Sequence, residues 1–430
     1  MAFQQGLSGL NTASKAIDVT SHNIANSSTV GYKAAVSHFA DVYANSLSGG
    51  GASQIGIGVN LAAVQQQYTQ GNITTTNNPL DISINGGGFY RMDQNGAVTY
   101  TRNGQFHLDK NGYIVNDQDM KLTGYLAQNG IIRATTPSPL QISASSLAPV
   151  ATGSNTTTSF QGVKANLNLD SRQGVPATGW SNGPATGVWS PDPLTYNYST
   201  ALSVYDTLGN AHTMTMYFRK AAATGQWDVY ANVDGTSNSR VTLTGGPLQF
   251  DTSGKLTGGS PMNISINLAG VMADLGKPNN AATPLAFAID FTGTTQFGTA
   301  FGTNRLEQDG YAAGNLVGLS VGADGVIQGR YSNGQTFNQG QIVLANFTNP
   351  NGLQSLGNNQ WTETSDSGPA LVGTPNTASL GVLQAASVEE SNVDLTAELV
   401  NLITQQRNYQ ANAQSIKTQD QVMQTLVNLR

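Results

Sequence analysis

Leu395-Thr396-Ala397-Glu398-Leu399-Val400-Asn401-Leu402 opens a run in which one face repeats at alternating steps of 4 and 3 residues. Leu395, Leu399, Leu402, Gln406, Tyr409, Ala413, Ile416, Asp420, Met423 and Val427 carry it almost to the last residue. A mean step of about 3.5 residues is the seam of a coiled coil. The other end has the same alternation in Phe3, Leu7, Leu10, Ser14, Ile17, Ser21 and Ile24. Everything between is Gly-rich and strand-like. The pattern predicts a subunit that assembles through its two ends, with Phe3, Leu7, Leu10, Ile17 and Ile24 on one helix. Leu395, Leu399, Leu402, Tyr409, Ala413, Ile416, Met423 and Val427 are the contact positions on the other.

The first helix is expected over Phe3–Ala25, with the small polar run Asn26-Ser27-Ser28-Thr29-Val30-Gly31 stopping it. The last is expected from Val388, because Ser387 and Glu390 have capping-box spacing. Run to Arg430, it would be about 65 Å long. Val400, Ile403, Val422 and Leu426 lie off the main seam, so this helix needs contacts on more than one side. An antiparallel hairpin of the two helices would brace one monomer, but the longer helix would keep uncovered apolar residues. Neighbouring copies would cover them.

The chain has 430 residues, 10% of them charged, a net charge of −6 and no cysteine. About 25% charged is usual, so much of this weakly solvated surface is expected to lie against other subunits. The acidic balance and the lack of a basic run argue against nucleic acid. Without Cys there are no disulfides, thiolate sites or Cys nucleophiles, which fits work outside the reducing cytosol. The first residues lack the n- and h-regions of a signal peptide, and no apolar run is long enough for a membrane span. An extracellular site would therefore be reached without N-terminal cleavage.

Between the ends the period changes to 2. Val59–Leu61, Leu80–Ile84 and Phe89–Met92 read as strands, after a short amphipathic segment near Ala34–Tyr43. Asp93-Gln94-Asn95-Gly96 and Asp109-Lys110-Asn111-Gly112 are hairpin turns of one meander. Ala201–Tyr205, Thr213–Phe218 and Trp227–Tyr230 open a second β region. The fold class is mixed α and β: long terminal helices forming a coiled-coil-like domain, plus two mainly antiparallel β domains, the outer inserted in the inner. The expected division is 1–30 with 385–430 (terminal helices), 31–70 with 360–384 (connecting), 71–145 with 292–359 (inner β) and 146–291 (outer β). Linkers containing Gly49, Gly50 and Gly51, Gly153, and Gly293 are hinge candidates.

No catalytic set or metal site can be assembled. The four His residues are scattered without HxxxH or HExxH spacing. The Gly triplets lack a following Lys-Ser/Thr, and no G-x-S-x-G occurs. No enzyme activity and no cofactor are expected.

The motifs do resemble one family. Ser21-His22-Asn23-Ile24-Ala25-Asn26-Ser27-Ser28-Thr29-Val30-Gly31-Tyr32-Lys33 is similar to the N-terminal signature of bacterial flagellar rod and hook proteins, with Asn23, Asn26, Thr29, Gly31, Tyr32 and Lys33 as its motif positions. Asn78–Tyr90, Thr101–Phe106, Ser391–Leu395 and Gln406–Asn412 resemble its further blocks. A chain of this length with one β insertion resembles the hook members. The resemblance implies type III flagellar export, growth under a hook cap protein, and contact with the distal rod protein and hook–filament junction protein. It also implies helices lining a channel in a homopolymer that transmits torque while bending. A distal-rod-like subunit, or a secreted β-rich adhesin with a coiled-coil stalk, is the alternative.

Overall fold

The computed structural model describes residues 2–42, 56–128, 130–142, 146–156 and 158–428. They fall into two compact units, one of 1–143, 318–329 and 336–430, the other of 144–317 and 330–335. The described α-helices are α1 (Ala2–Ala25), α2 (Leu268–Asp274) and α3 (Leu395–Asn428).

Helix α1 starts and stops where the heptads predict. At its end the Asn26 amide donates to the His22 and Asn23 carbonyls, and Gly31 takes φ +71°. Helix α3 does not start at Val388. Ser387–Glu389 is a strand paired with Ile73–Thr75, so its backbone donors and acceptors are committed to a ladder. The cap is Asp394, whose Oδ1 accepts from the Thr396 and Ala397 amides at 2.9 and 3.1 Å. The 34-residue helix is therefore about 51 Å long, shorter than the spacing of Ser387 and Glu390 implied. The segment after α1 is likewise a strand: Ala35–Val42 pairs with Gly58–Gln66 around a bulge at His38/Phe39. Gly49, Gly50 and Gly51 lie outside the described residues.

In the first unit Phe89–Gln94 is flanked by Ala97–Thr101 and Lys121–Gln128. Thr336–Ile342 adds beyond the latter, and Gln360–Thr362 beyond Ala97–Thr101. The hairpin turn Asp93–Gly96 places Asn95 and Gly96 at φ +54° and +91°. Phe89, Tyr100, Phe347 and Trp361 form the buried centre, with Tyr68 edge-on to Phe89 and Trp361. The chain returning toward α3 then runs back along the early strands. Val382–Ala385 pairs with Ile82–Asn85 just before Ser387–Glu389 pairs with Ile73–Thr75.

The second unit holds two five-stranded sheets that share one core, including Leu167, Phe218, Trp227, Ile264 and Phe291. The clean alternation read in Thr213–Phe218 appears as buried Met214, Met216 and Phe218 on strand Ala211–Lys220. Gly153 has φ +86°, donates its amide to Asp309 Oδ1 at 2.7 Å and leaves no room for a side chain beside Phe287. Gly293 has φ +91° beside Asn166, in the turn closed by the Thr294 amide on the Phe291 carbonyl. Both are turn positions within this unit.

Candidate functional site

Two heptad stripes run side by side on α1. Gly6, Gly9, Ala13, Ala16, Thr20 and Asn23 keep the 3,4 alternation one residue behind Phe3, Leu7, Leu10, Ile17 and Ile24, about 100° around the helix. The structure turns the small stripe inward. Gly6, Ala13, Ala16, Thr20 and Asn23 are buried, whereas Phe3 and Leu7 remain 50% and 45% exposed and Leu10, Ile17 and Ile24 are half-buried. A β-carbon added at Gly6 would lie 2.8 Å from Ile416 Cγ1, and one at Gly9 would lie 2.9 Å from the Asn412 amide. Glycine here lets α1 and α3 approach closely in antiparallel register.

On α3 the face toward α1 includes Leu402, Gln405, Asn412, Ala413 and Ile416, none of them fully exposed. Leu395, Leu399, Tyr409, Met423 and Val427, on the same predicted seam, are exposed, as are Val400, Ile403 and Val422 off it. The structure therefore brings three of the predicted α3 positions (Leu402, Ala413 and Ile416) to the α1 side and leaves the others open. The hairpin Ala35–Val42/Gly58–Gln66 covers another side of α1. Gln5 Nε2 donates to the Gly56 carbonyl at 2.6 Å, and the Val59 amide donates to Ser8 Oγ at 3.3 Å.

The motif after α1 builds the junction of helices and sheet. Asn23, 1% exposed, accepts at Oδ1 from Tyr32 Oη (3.0 Å) and the Ala35 amide (2.9 Å), and donates to the Ala35 carbonyl at 2.8 Å. Asn26 Nδ2 donates to the His22 carbonyl at 2.9 Å, and Thr29 Oγ1 donates to Asn26 Oδ1 at 3.3 Å, which rounds off the helix end. Gly31 is required twice over: its φ is positive, and a β-carbon would lie 2.7 Å from the Asn103 amide nitrogen. Lys33 is fully buried. Its Nζ donates to Glu389 Oε1 at 2.7 Å and to the Thr69 carbonyl at 2.6 Å.

Glu389 is the centre of this junction. Oε1 also accepts the Gly71 amide at 2.9 Å, and Oε2 accepts Arg102 Nη1 at 3.2 Å. Its backbone carbonyl accepts the Gly31 amide at 2.8 Å. Arg102 Nη2 donates to the Gly86 carbonyl at 2.8 Å, and its guanidinium lies 5.6 Å from the Phe89 ring centre. Asn392 completes the set, accepting the Ala34 amide at 2.8 Å and donating to the Gln67 carbonyl at 2.7 Å. Burial pushes both Lys33 and Arg102 down from their ordinary values, and the Glu389 carboxylate opposes it. Tyr32 is pushed up to about 12 by burial and then by the charge of Glu398. Glu389 was invisible to sequence reasoning, which looked to Glu390 for a cap. Its partners Arg102 and Lys33 are 287 and 356 residues away, so no local spacing marks it.

A buried charged cluster around His212 lies in the second unit. His212 Nδ1 faces Asp234 Oδ2 at 2.7 Å and Nε2 faces Asp206 Oδ2 at 3.5 Å. The hydrogen bond to Asp234 raises the His212 pKa, against a smaller opposing effect of burial. Asp206 also organises the turn between two strands, accepting the Leu208 and Asn210 amides. The two carboxylates lie on opposite sides of the ring, an arrangement that holds a turn and does not converge on a metal. No described helix is long and apolar enough to cross a membrane.

Two terminal helices are joined by a small-residue face and held to a β body, with Phe3 and Leu7 of the second stripe left exposed. Four family models match the chain. Residues 3–33 match the flagella basal body rod protein model, and 83–154 match the flagellar hook protein FlgE/F/G D1 domain. Residues 166–311 match the flagellar basal body protein FlaE D2 domain, and 384–429 the flagellar basal body rod FlgEFG protein C-terminal model. The flagellar hook protein FlgE of Escherichia coli K12 is 41% identical over 438 residues, covering 100% of both chains. That of Borreliella burgdorferi is 30% identical, covering 100% of this chain and 99% of its own. The chain belongs to the flagellar hook protein family and is a structural component of the hook. The crystal structure of Helicobacter pylori flagellar hook protein FlgE2 has a similar fold, with TM-score 0.51 and 14% identity over 74% of this chain and 100% of its own.

Proposed function

We propose that this chain polymerises with itself into a curved tube that carries torque from rod to filament and leaves a central export channel. The observation that carries this reading is the pair of stripes on α1. The small stripe is consumed within the subunit, so Phe3 and Leu7, with Leu395, Leu399 and Tyr409 of α3, are left for neighbouring copies. A head-to-tail contact that does not close on itself generates a helical tube. Alternation of each contact between nearby states during rotation requires that they differ by only about a few kcal/mol. A surface with 10% charged residues supports contacts that slide, since few ion pairs fix their register.

In this reading the terminal helices form the wall of the channel. The chain acts without cofactor or catalysis, outside the cell. Its partners are further copies of itself, the hook cap protein, distal rod protein, hook–filament junction protein and the type III export machinery. The test is electron microscopy of this chain expressed in cells whose own hook protein is deleted. Curved tubes of limited length on the cell body are the expected result. Straight tubes, or soluble protein with no tube, would defeat the proposal.

A further inference from the structure

His212 ties together separate pieces of the second unit from an enclosed position. The side chains of His212 and Asp206 are 2% and 0% exposed. Nδ1 lies 2.7 Å from Asp234 Oδ2 and Nε2 lies 3.5 Å from Asp206 Oδ2, and among the described residues these are its charged contacts. Asp206 reaches further. Its Oδ1 accepts the Leu208 and Asn210 amides at 2.9 and 2.8 Å, and its Oδ2 accepts Asn210 Nδ2 at 2.9 Å and Asn279 Nδ2 at 3.4 Å. From the same turn Thr207 Oγ1 accepts the Ala282 amide at 2.9 Å. Residues 279–282 bring no charge of their own.

The 206–210 turn also rests on the two segments through which the chain enters and leaves this unit. They form a short ribbon in which Leu147 and Val150 exchange backbone hydrogen bonds with Gly314 and Tyr311. A β-carbon at Gly209 would lie 2.7 Å from Pro149 Cβ and 3.2 Å from the Ala313 nitrogen, so the turn is seated on both sides of the ribbon. Thr152 ties the entering segment to Tyr205, just before the turn, by hydrogen bonds of 2.9 and 3.0 Å. Tyr311 is the one titratable side chain of 147–150 and 311–314.

We propose that His212 is a proton-operated catch: charged, it holds the 206–210 turn against the ribbon, and neutral, it releases the ribbon and residues 279–282. The charged ring donates from both nitrogens. The neutral ring has one proton, which stays on Nδ1 toward the nearer Asp234, and Nε2 then aims a lone pair at Asp206. An enclosed carboxylate is left without a counter-charge, a costly state in a dry interior. Thr207 and Leu208 are exposed, so the turn relieves it by moving outward to water while the core strands stay in place. The hydrogen bond to Asp234 keeps the ring charged beyond its ordinary value of about 6.5, so the catch is closed there and opens as pH rises through the folded value. The catch itself does not depend on polymerisation; its meeting external pH rests on the extracellular hook reading.

The test is amide hydrogen exchange on the soluble full-length chain from about pH 6 to about pH 9, in urea from zero to about 1 M, with each rate divided by that of an unfolded chain at the same pH. As pH rises, protection of the Leu208, Asn210, Ala282 and Val150 amides is expected to fall by roughly 10-fold or more and to be independent of urea, the signature of a local opening. Amides of the strands around Phe218, Ile264 and Ile289 exchange through unfolding of the unit and are expected to keep a steep urea dependence. Constant protection of the turn and ribbon over this pH range would overturn the proposal. A fall with the urea dependence of the core strands would overturn it too, because His212 would then act only on overall stability. Asp234→Asn identifies the titrating group. Asn tolerates the φ of +50° at this position, and without the carboxylate 2.7 Å from Nδ1 the fall is expected at lower pH. A fall at the parental pH in this variant would assign it to another group and sink the catch.

Discussion

Replacing Phe3 and Leu7 together by Ser is the most direct probe of the open stripe. In the isolated subunit these side chains are 50% and 45% exposed, so about half of each is already covered by its own chain. Full burial of a Leu or Phe side chain contributes about 1.5–3 kcal/mol. The half still open is then worth about 0.7–1.5 kcal/mol per residue on contact with a neighbour. For the pair this comes to about 1.5–3 kcal/mol, or roughly a 10- to 150-fold rise in the concentration needed for polymerisation. The assay is sedimentation of polymer against total protein concentration, with circular dichroism of the monomer alongside. The monomer is expected to keep its helical signal, because the contact with α3 is made by Gly6, Gly9, Ala13 and Ala16. Polymerisation at the parental concentration would refute the assignment of this stripe to neighbours. Collapse of the monomer's helical signal would show instead that the stripe holds the subunit itself together.

Four other outcomes are expected. Gly31→Ala combines a side chain at φ +71° with a β-carbon 2.7 Å from the Asn103 amide nitrogen, and is expected to destabilise the first unit by about 2–4 kcal/mol in urea unfolding. Gly9→Ala gains about 1 kcal/mol of helix propensity while Asn412 rotates aside, so it should be close to neutral. Gly9→Leu must push α1 from α3 and is expected to lose about 1–2 kcal/mol net, read as faster amide exchange along α1. The pKa of His212 is raised above the unfolded value of about 6.5, so its stabilisation is complete below that pH and is lost as pH rises through the folded value. Stability of the second unit, followed by denaturant titration, should fall as pH rises above about 6.5 in the parent. The slope should be absent in His212→Asn.

The period-3.5 pattern was enough to place both terminal helices, because helix formation at a chain end depends on spacing that lies within one segment. The Asp-x-Asn-Gly turns and the alternation in Thr213–Phe218 were equally local and equally legible. Sequence alone could not say which of two adjacent heptad stripes faces inward. Apolar size favours Phe3, Leu7 and Leu10. The fold instead turns Gly6, Gly9, Ala13 and Ala16 inward, because close backbone approach to Asn412 and Ile416 requires small residues. Nor could it start α3: the Ser387/Glu390 spacing is a valid cap signal, but those backbone groups were already claimed by a strand some 300 residues away. Glu389 is the extreme case. Local chemistry determined where this protein has helices and turns, whereas the buried ion cluster of Lys33, Arg102 and Glu389 was decided only by tertiary structure, because a buried charge is stable only beside partners that the fold brings to it from the far end of the chain.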